Sequence, residues 1–218
     1  MSGNREMEIM PYFICIAIGY FLGVLNPAAF LSKLKKVDLR SSGSGNLGAT
    51  NTFRVLGKAA GIWVMVFDIA KAFLAVKLAQ HLFPESPGVG MLAGLGAVAG
   101  HVFPFYMKFK GGKGLAAYGG MVLAASPKMF AALLIFGVAM MFITNHGGVM
   151  QLAVTVPFPV LVWLSSRSVS DSLIALAGGA LVVLANREVI GRAVKGTDTK
   201  FREDVKATFS KRSGNTAR

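Results

Sequence analysis

The chain has 218 residues, of which 54% are hydrophobic and 15% are charged, whereas an average soluble domain is roughly 25% charged. Its net charge is +13, and this charge lies in short segments between long apolar runs. The distribution favours a membrane protein with one basic face, argues against a nucleic-acid-binding domain, and leaves no room for a separate soluble domain.

A helix that crosses the hydrocarbon core of a bilayer needs about 20 apolar residues. The sequence predicts an all-α polytopic fold with about seven transmembrane helices, of which the fourth is short and the sixth is kinked at Pro157 and Pro159. In chain order the predicted spans are residues 9–31, 61–83, 89–106, 115–125, 129–144, 149–164 and 173–185. We expect one membrane domain, residues 1–200, followed by a polar basic tail, residues 201–218, and no removable signal peptide.

The basic residues distinguish the two predicted faces. Most of the 23 lysine and arginine residues fall in the first and third connections and in the tail, and few fall in the others. Because cytoplasmic loops carry an excess of such residues, we expect the N-terminus outside and the C-terminus in the cytoplasm. The basic residues of the two predicted inner loops are Lys33, Lys35, Lys36, Arg40, Arg54, Lys58, Lys108, Lys110 and Lys113.

The first inner loop contains three glycines, Gly43, Gly45 and Gly48, interleaved with hydroxyl and amide side chains. Glycine permits positive φ angles, and successive backbone N–H groups in such a turn form an anion-binding nest. Ser44, Asn46, Thr50 and Asn51 add side-chain donors, and Arg40 and Arg54 flank the segment with groups suited to phosphate. The alternative is a flexible polar loop. The segment is not a Walker A loop, and no strand precedes it as a dinucleotide-binding fingerprint requires.

The second inner loop places Lys108, Lys110 and Lys113 around the Gly111-Gly112 pair. Ammonium groups on a glycine turn can close over a phosphate, although the same residues would serve as a membrane-face anchor. His101, at the end of the third span, is a candidate base, phosphate donor or structural cap.

Three further features concern the interior of the predicted bundle. Asp68 and Lys71 lie three residues apart on one helical face, which favours their mutual pairing or a role in supporting the loops. Cys15 is the single cysteine, so no disulfide, metal site or cofactor is predicted. The absence of a visible internal repeat argues against a transporter.

The sequences of the two inner loops resemble the motifs of the PlsY family, the bacterial acyl-phosphate:glycerol-3-phosphate acyltransferases. The first motif corresponds to residues 43–51 with Arg54, and the second to Gly100-His101-x-Phe103-Pro104 followed by residues 109–114. The likeness runs without a gap from about Tyr20 to Ala116. It implies a seven-helix enzyme of the bacterial inner (plasma) membrane with its active site on the cytoplasmic face.

The resemblance also implies a reaction and a set of site residues. A fatty acyl group would pass from acyl phosphate to the 1-hydroxyl of glycerol 3-phosphate, giving lysophosphatidic acid and phosphate. The acyl chain would lie among the helices, membrane lipid would be a partner of the protein, and no cofactor, metal or nucleic acid would take part. The implied catalytic residues are Ser44, Arg54, Lys113 and Asn186, and the implied phosphate- or substrate-binding residues are Gly43, Gly45, Asn46, Gly48, Thr50, Asn51, His101, Lys110, Gly111, Gly112, Arg187 and Arg192.

The C-terminal half departs from the family pattern. In the third motif the histidine is replaced by Asn186, an asparagine by Val189 and a glutamate by Asp198, whereas Arg187, Ile190, Arg192, Gly196 and Lys200 match. A Ser-Leu-Ala-Ser stretch is missing where this chain reads 144–149, and His146 is a candidate substitute for a lost group. These differences leave two alternatives open, a divergent paralogue with another acceptor and an inactive homologue that binds lipid phosphates.

Overall fold

The computed structural model describes residues 2–197, with side chains from Glu8 onward, and the regular secondary structure of that range is helical. The residues of the predicted tail, together with Asp198 and Lys200 of the third motif, lie outside the described range. The α-helices are α1 (Ser2–Gly23), α2 (Pro27–Leu34), α3 (Ala49–Leu56), α4 (Lys58–Leu82), α5 (Val89–Val102), α6 (Leu115–Ala125), α7 (Pro127–Thr144), α8 (Val149–Thr155), α9 (Pro157–Ser166), α10 (Val169–Ala185) and α11 (Arg187–Val194), and a 3-10 turn spans Phe105–Met107.

Apolar helices occupy all seven predicted segments, so the prediction of an all-α polytopic membrane protein is confirmed. By length and hydropathy, residues 2–197 contain five candidate spans, Glu8–Leu34, Lys58–Leu82, Val89–Met107, Pro127–Thr144 and Val149–Ser166. Helix α10 meets the same standard only together with α11, from which it is bent by 73°. Helix α6 has 11 residues, or about 17 Å of helix, against a hydrocarbon core of about 30 Å. The count of seven spans therefore stays a prediction.

The first predicted span, residues 9–31, lies within the candidate span Glu8–Leu34, and its helix is interrupted between Gly23 and Pro27. Asn26 adopts an extended conformation there, and its Oδ1 accepts a hydrogen bond from the Ala29 N–H at 2.8 Å. Its Nδ2 donates to the carbonyl of Leu47 at 3.3 Å, which joins the break to the first inner loop. A capping side chain followed by proline thus starts a new helix, α2.

The sixth predicted span is divided at Pro157, although Val156 before it keeps helical φ and ψ angles, and the kink stays a prediction. Helix α8 ends at Thr155 and α9 begins at Pro157. In the first turn of a helix the backbone N–H has no intrahelical acceptor, so proline loses no hydrogen bond there. Pro159 lies within α9 in its first turn and does not interrupt that helix, for the same reason.

Four glycines bring α1 and α5 into direct backbone contact. A Cβ atom at Gly19 would lie 2.0 Å from the carbonyl oxygen of Ala93, and one at Gly100 would lie 2.2 Å from that of Tyr20. Gly23 and Gly96 show the same close approach, at 2.3 Å each. Each helix therefore carries two glycines four residues apart at the contact, an arrangement that permits close packing of membrane helices.

Helix α5 lies near the centre of the molecule, and most of its residues are buried. Cys15 from α1 is buried in the same core. On another side of this core, Tyr118 packs edge-on against Phe158 at 5.5 Å between ring centroids, and its hydroxyl donates to the carbonyl of Ala175 at 2.9 Å. These contacts tie α6 to α9 and α10, so the short α6 is held by protein neighbours.

Candidate functional site

The first glycine turn, residues 43–48, has the backbone conformation that its glycines predict. Gly43 and Gly45 have φ angles of +61° and +69°, in the left-handed region that other residues rarely adopt. A Cβ atom at Gly45 would also lie 2.8 Å from the carbonyl oxygen of Arg40. Gly48 is extended and forms the N-terminal boundary of α3. The turn is therefore built for glycine at two positions.

Asn51 fixes the shape of the first glycine turn from within. Its side chain is fully buried, and its Oδ1 accepts from the backbone N–H of Ser44 at 2.7 Å. Its Nδ2 donates to the carbonyls of Leu39 and Ser42 at 2.9 and 3.0 Å. All of these are bonds to the protein backbone, so the structure assigns Asn51 the task of shaping the loop.

The second glycine turn, residues 110–114, folds back over the end of α5. The N–H of Gly111 donates to the carbonyl of Val102 at 2.9 Å, and that of Gly112 donates to the carbonyl of His101 at 3.1 Å. A Cβ atom at Gly112 would lie 2.2 Å from His101 Nε2 and 3.0 Å from the carbonyl oxygen of Leu47. Since Leu47 belongs to the first glycine turn, the two turns meet at a point where only glycine fits.

Arg40 makes a second connection between the turns. Its guanidinium donates to the carbonyl of Lys110, which is 70 residues away in the sequence. Its own N–H donates to Asp38 Oδ1 at 2.9 Å, and this bond lowers the pKa of the exposed Asp38 carboxyl. Arg40 therefore holds the two turns together at the surface.

A cavity of about 580 Å³ opens beneath the two turns. Its polar end is formed by side chains from both turns and from the α10–α11 junction: Ser44, Asn46, Thr50, Arg54, Lys113, Asn186 and Arg192. Its apolar end is formed by single faces of α4, α6 and α7: Met65, Ile69, Leu115, Gly119, Val122, Phe130, Leu133 and Leu134. The lining of the cavity therefore combines cationic and hydrogen-bond-donating side chains with apolar side chains.

Several residues that the sequence predicts for the site lie outside the cavity lining. Lys110 and Arg187 have exposed side chains, and Gly111 and Gly112 support the second turn from behind the lining. Gly43, Gly45 and Asn51 determine the conformation of the first turn without lining the cavity. The binding roles of these residues stay predictions, and the geometry gives most of them a supporting position.

Asn186 connects the third motif to the second glycine turn. It is 1% exposed, and its Nδ2 donates to the carbonyls of Lys113 and Val182 at 3.0 and 2.7 Å. Its Oδ1 lies 3.2 Å from the side-chain amide of Gln151 on α8. Residues 186, 189 and 192 follow at spacings of three and all line the cavity, so one face of α11 forms part of its wall.

Gln151 is a cavity residue that the sequence reasoning missed. It lies on α8 within an apolar segment, contacts Asn186 and lines the cavity. The signal was a polar side chain at membrane depth, where such groups are costly and face protein or water. His146, the proposed substitute for a lost group, is only partly buried and lies outside the cavity lining.

An ionic cluster is buried below the second glycine turn. Asp68 and Lys71 form an ion pair of 2.8 Å, which confirms the pairing predicted from their spacing. His101 Nδ1 lies 2.9 Å from Lys71 Nζ and 3.3 Å from Asp68 Oδ1. The three residues are between 1% and 3% exposed, yet Asp68 and His101 reach the cavity lining.

Comparison with known proteins agrees with this architecture. The family profile described as "Glycerol-3-phosphate acyltransferase" matches residues 13–196. A glycerol-3-phosphate acyltransferase of Enterococcus faecalis is 35% identical over 208 residues, covering 91% of this chain and 95% of that protein. One from Thermoanaerobacter pseudethanolicus is 34% identical over 185 residues, covering 84% and 92%.

Two solved structures share the fold. The glycerol 3-phosphate form of PlsY, an integral membrane glycerol 3-phosphate acyltransferase, aligns with a TM-score of 0.80 and 32% identity, covering 87% of this chain and 95% of that one. The lysophosphatidic acid form aligns with a TM-score of 0.78 and 30% identity, covering 87% and 94%. The resemblance found in two short motifs thus extends over most of the chain, including the divergent C-terminal half.

Proposed function

This chain belongs to the glycerol-3-phosphate acyltransferase family, and on that premise we propose that it transfers a fatty acyl group from acyl phosphate to the 1-hydroxyl of glycerol 3-phosphate. The products are lysophosphatidic acid and inorganic phosphate. One observation supports this function above the others, namely a single cavity with cationic and amide donors at one end and an apolar wall at the other.

The polar end of the cavity suits two phosphorylated substrates. Arg54, Lys113 and Arg192 supply positive charge, and Ser44 and Asn46 supply neutral donors beside them. Holding both phosphates in one cavity would bring the glycerol hydroxyl next to the acyl carbonyl carbon, which supplies the proximity that a two-substrate transfer needs.

The apolar end suits the acyl chain of a lipid-soluble donor. Met65 on α4 and Leu134 on α7 both line the cavity, and each is 42% exposed. In a membrane protein such exposed apolar side chains face lipid. The cavity therefore has an edge at which an acyl chain would pass between the bilayer and the site.

The reaction breaks the acyl–phosphate bond and forms an ester bond to the glycerol oxygen. The departing phosphate gains negative charge, which Arg54, Lys113 and the amides of the glycine turns would stabilise. We propose that the proton of the glycerol hydroxyl passes to a substrate phosphate oxygen, so that no protein base is required. The two predicted inner loops that carry these turns hold nine of the 23 lysine and arginine residues, which supports an active site on the cytoplasmic face of the bacterial inner membrane.

The decisive assay uses the purified protein in lipid nanodiscs with acyl phosphate and glycerol 3-phosphate. We expect release of phosphate in equal amount with lysophosphatidic acid, measured by phosphate assay and mass spectrometry. Phosphate release without lysophosphatidic acid would indicate another acceptor, and saturable binding of acyl phosphate without release would indicate an inactive homologue.

Variants test the phosphate-binding assignment. Arg54→Ala and Lys113→Ala should each lower kcat/KM by roughly 100-fold or more, since loss of one donor to developing charge costs about that much. Lys58→Ala is the matched control, because Lys58 is exposed on the same face and lies outside the cavity lining. Folding is checked by gel filtration and thermal unfolding, and normal turnover in folded Arg54 and Lys113 variants would remove the assignment.

A further inference from the structure

The cluster of Asp68, Lys71 and His101 takes no part in the reaction proposed above. It lies directly beneath the second glycine turn, and all three side chains are at least 97% buried. Ionisable groups at this depth are costly unless their partners are well placed, so the arrangement of their hydrogen bonds carries information.

Lys71 has as many partners as it has protons to donate. Its Nζ lies 2.6 Å from the carbonyl oxygen of Leu25, 2.8 Å from Asp68 Oδ1 and 2.9 Å from His101 Nδ1. An ammonium group has donors and no acceptor, so the Leu25 carbonyl and His101 Nδ1 accept hydrogen bonds from it, and Asp68 Oδ1 is its ion-pair partner. The Leu25 carbonyl belongs to the break between α1 and α2, which leaves it available for this bond.

The contact with Lys71 decides which nitrogen of His101 carries the proton. Nδ1 accepts from the ammonium, so it has no proton of its own, and in a neutral imidazole the proton then lies on Nε2. A proton on Nδ1 would instead point at the ammonium hydrogens of Lys71. The longer distance of 3.3 Å from Nδ1 to Asp68 Oδ1 agrees with two groups that both face Lys71 and do not bond to each other.

The Nε2 edge of His101 lies at the second glycine turn. The position of a Cβ atom at Gly112 would be 2.2 Å from Nε2, so the ring edge packs against the glycine backbone. His101 also lines the cavity. Within residues 2–197 no backbone or side-chain acceptor takes a hydrogen bond from Nε2.

We propose that His101 donates a hydrogen bond from Nε2–H to a phosphoryl oxygen in the cavity, and that Lys71 and Asp68 are positioning residues that fix this tautomer. The proposal rests on the proposed function for the identity of the anion, a phosphate ester or acyl phosphate. It excludes His101 as the base that takes the hydroxyl proton, because Nε2 is already protonated. The opposite charges of Asp68 and Lys71 cancel, so the donor acts beside the charged groups Arg54, Lys113 and Arg192 without adding to their charge.

Nitrogen NMR on protein with ¹⁵N-labelled histidine tests the tautomer directly, without any need for turnover. The His101 signals are assigned by their loss in His101→Gln. We expect a protonated Nε2 and an unprotonated Nδ1, and a shift of the Nε2–H resonance on titration with inorganic phosphate. Lys71→Met should move the proton to Nδ1, facing Asp68. A protonated Nδ1 in the wild-type protein, or no response to phosphate, would overturn the proposal.

Two matched substitutions separate donation from packing. In His101→Gln the amide nitrogen stands near the place of Nε2, and in His101→Asn the amide stands near the place of Nδ1 and keeps a partner for Lys71. If Nε2–H donates to substrate, His101→Asn should lower kcat/KM by roughly tenfold or more, mainly through KM, and His101→Gln should lose less.

Equal losses, or a larger loss in the glutamine variant, would contradict donation and leave only a structural role. The two proposals fail separately. A wild-type protein that shows the expected tautomer and phosphate response but forms no lysophosphatidic acid would contradict the proposed reaction and not the role of His101.

Discussion

Buried amide side chains organise the site at the scale of single residues. Asn51 supports the first glycine turn through backbone bonds, and Asn186 supports the second through the carbonyl of Lys113. A neutral amide donates and accepts at once, so one side chain can satisfy a backbone N–H and a backbone carbonyl that a turn leaves unpaired. The backbone that carries the charged residues of the cavity is therefore held in place by hydrogen bonds within the protein, without any substrate.

Val189 gives a prediction about affinity for the acceptor. It lines the cavity between Asn186 and Arg192 on one face of α11, and its side chain forms no hydrogen bonds. Val189→Asn would add a donor beside the groups that we propose to bind phosphate, so we expect the KM for glycerol 3-phosphate to fall by about threefold to tenfold. Steady-state kinetics at saturating acyl phosphate measure this change. Val189→Leu is the control without a donor, and an equal fall in KM for the leucine variant would contradict the argument.

Sequence reasoning at this scale succeeded where the relevant partners are local. The positive φ angles of Gly43 and Gly45 follow from their spacing in one turn, and the ion pair of Asp68 and Lys71 follows from one helical turn. Gln151 was missed because its partner, Asn186, is 35 residues away. Such a contact depends on how α8 packs against α10, and a local sequence pattern does not predict that packing.

At the scale of helices, the contact between α1 and α5 depends on glycine. Its four glycines stand in two pairs with a spacing of four, a pattern visible in the sequence once the two helices are known to be neighbours. The same proximity is what brings the α1–α2 break, with its Leu25 carbonyl, next to Lys71 and His101. The packing of two apolar helices thus bears directly on the ionic cluster below the site.

Substitution at this contact should reduce stability. A Cβ atom at Gly96 would lie 2.3 Å from the carbonyl oxygen of Ile16, so Gly96→Ala forces backbone movement and should cost about 1–3 kcal/mol of unfolding free energy. Thermal unfolding of the detergent-solubilised protein measures the effect. Gly191→Ala on α11 is the control, since nothing lies within 4 Å of its Cβ position and alanine favours helix there. Equal melting temperatures for the two variants would contradict the prediction.

The boundaries of helices were harder to predict than their presence. Hydropathy placed an apolar segment at each correct location, because burial in lipid or protein requires it at every one. The break at Asn26 was not predicted, although the cap of Asn26 and the following Pro27 are local signals for the start of a helix. The end of α6 was predicted from Ser126 and Pro127. In the structure the side chain of Ser126 caps α7, and Pro127 is the first residue of that helix.

At the scale of the whole molecule, the connections gather at two ends. The glycine turns and the α10–α11 junction meet around the cavity. At the other end, the Cβ position of Gly88, before α5, is 3.2 Å from Asp171 Oδ1 in the first turn of α10. This grouping matches the two faces predicted from the basic residues, and the orientation of the ends across the membrane stays a prediction.

Cysteine labelling tests that orientation. The native Cys15 is fully buried, so it should contribute little background. We expect Glu85→Cys to react with a membrane-impermeant maleimide in intact spheroplasts, and Lys108→Cys to react only after lysis, because the positive-inside rule places Lys108 in the cytoplasm. Both side chains are exposed, so access differs only by the side of the membrane. The reverse pattern would show the opposite orientation.

The cavity edge proposed at Met65 and Leu134 would place the enzyme between two solvents. Glycerol 3-phosphate would arrive from water, where its amount is given by its bulk concentration. The acyl donor would arrive from the bilayer, where its amount is given by its mole fraction among the lipids of one leaflet. Dilution of the donor with inert phospholipid at constant bulk concentration would then slow catalysis, so the composition of the surrounding membrane acts as a control on the rate of its own synthesis.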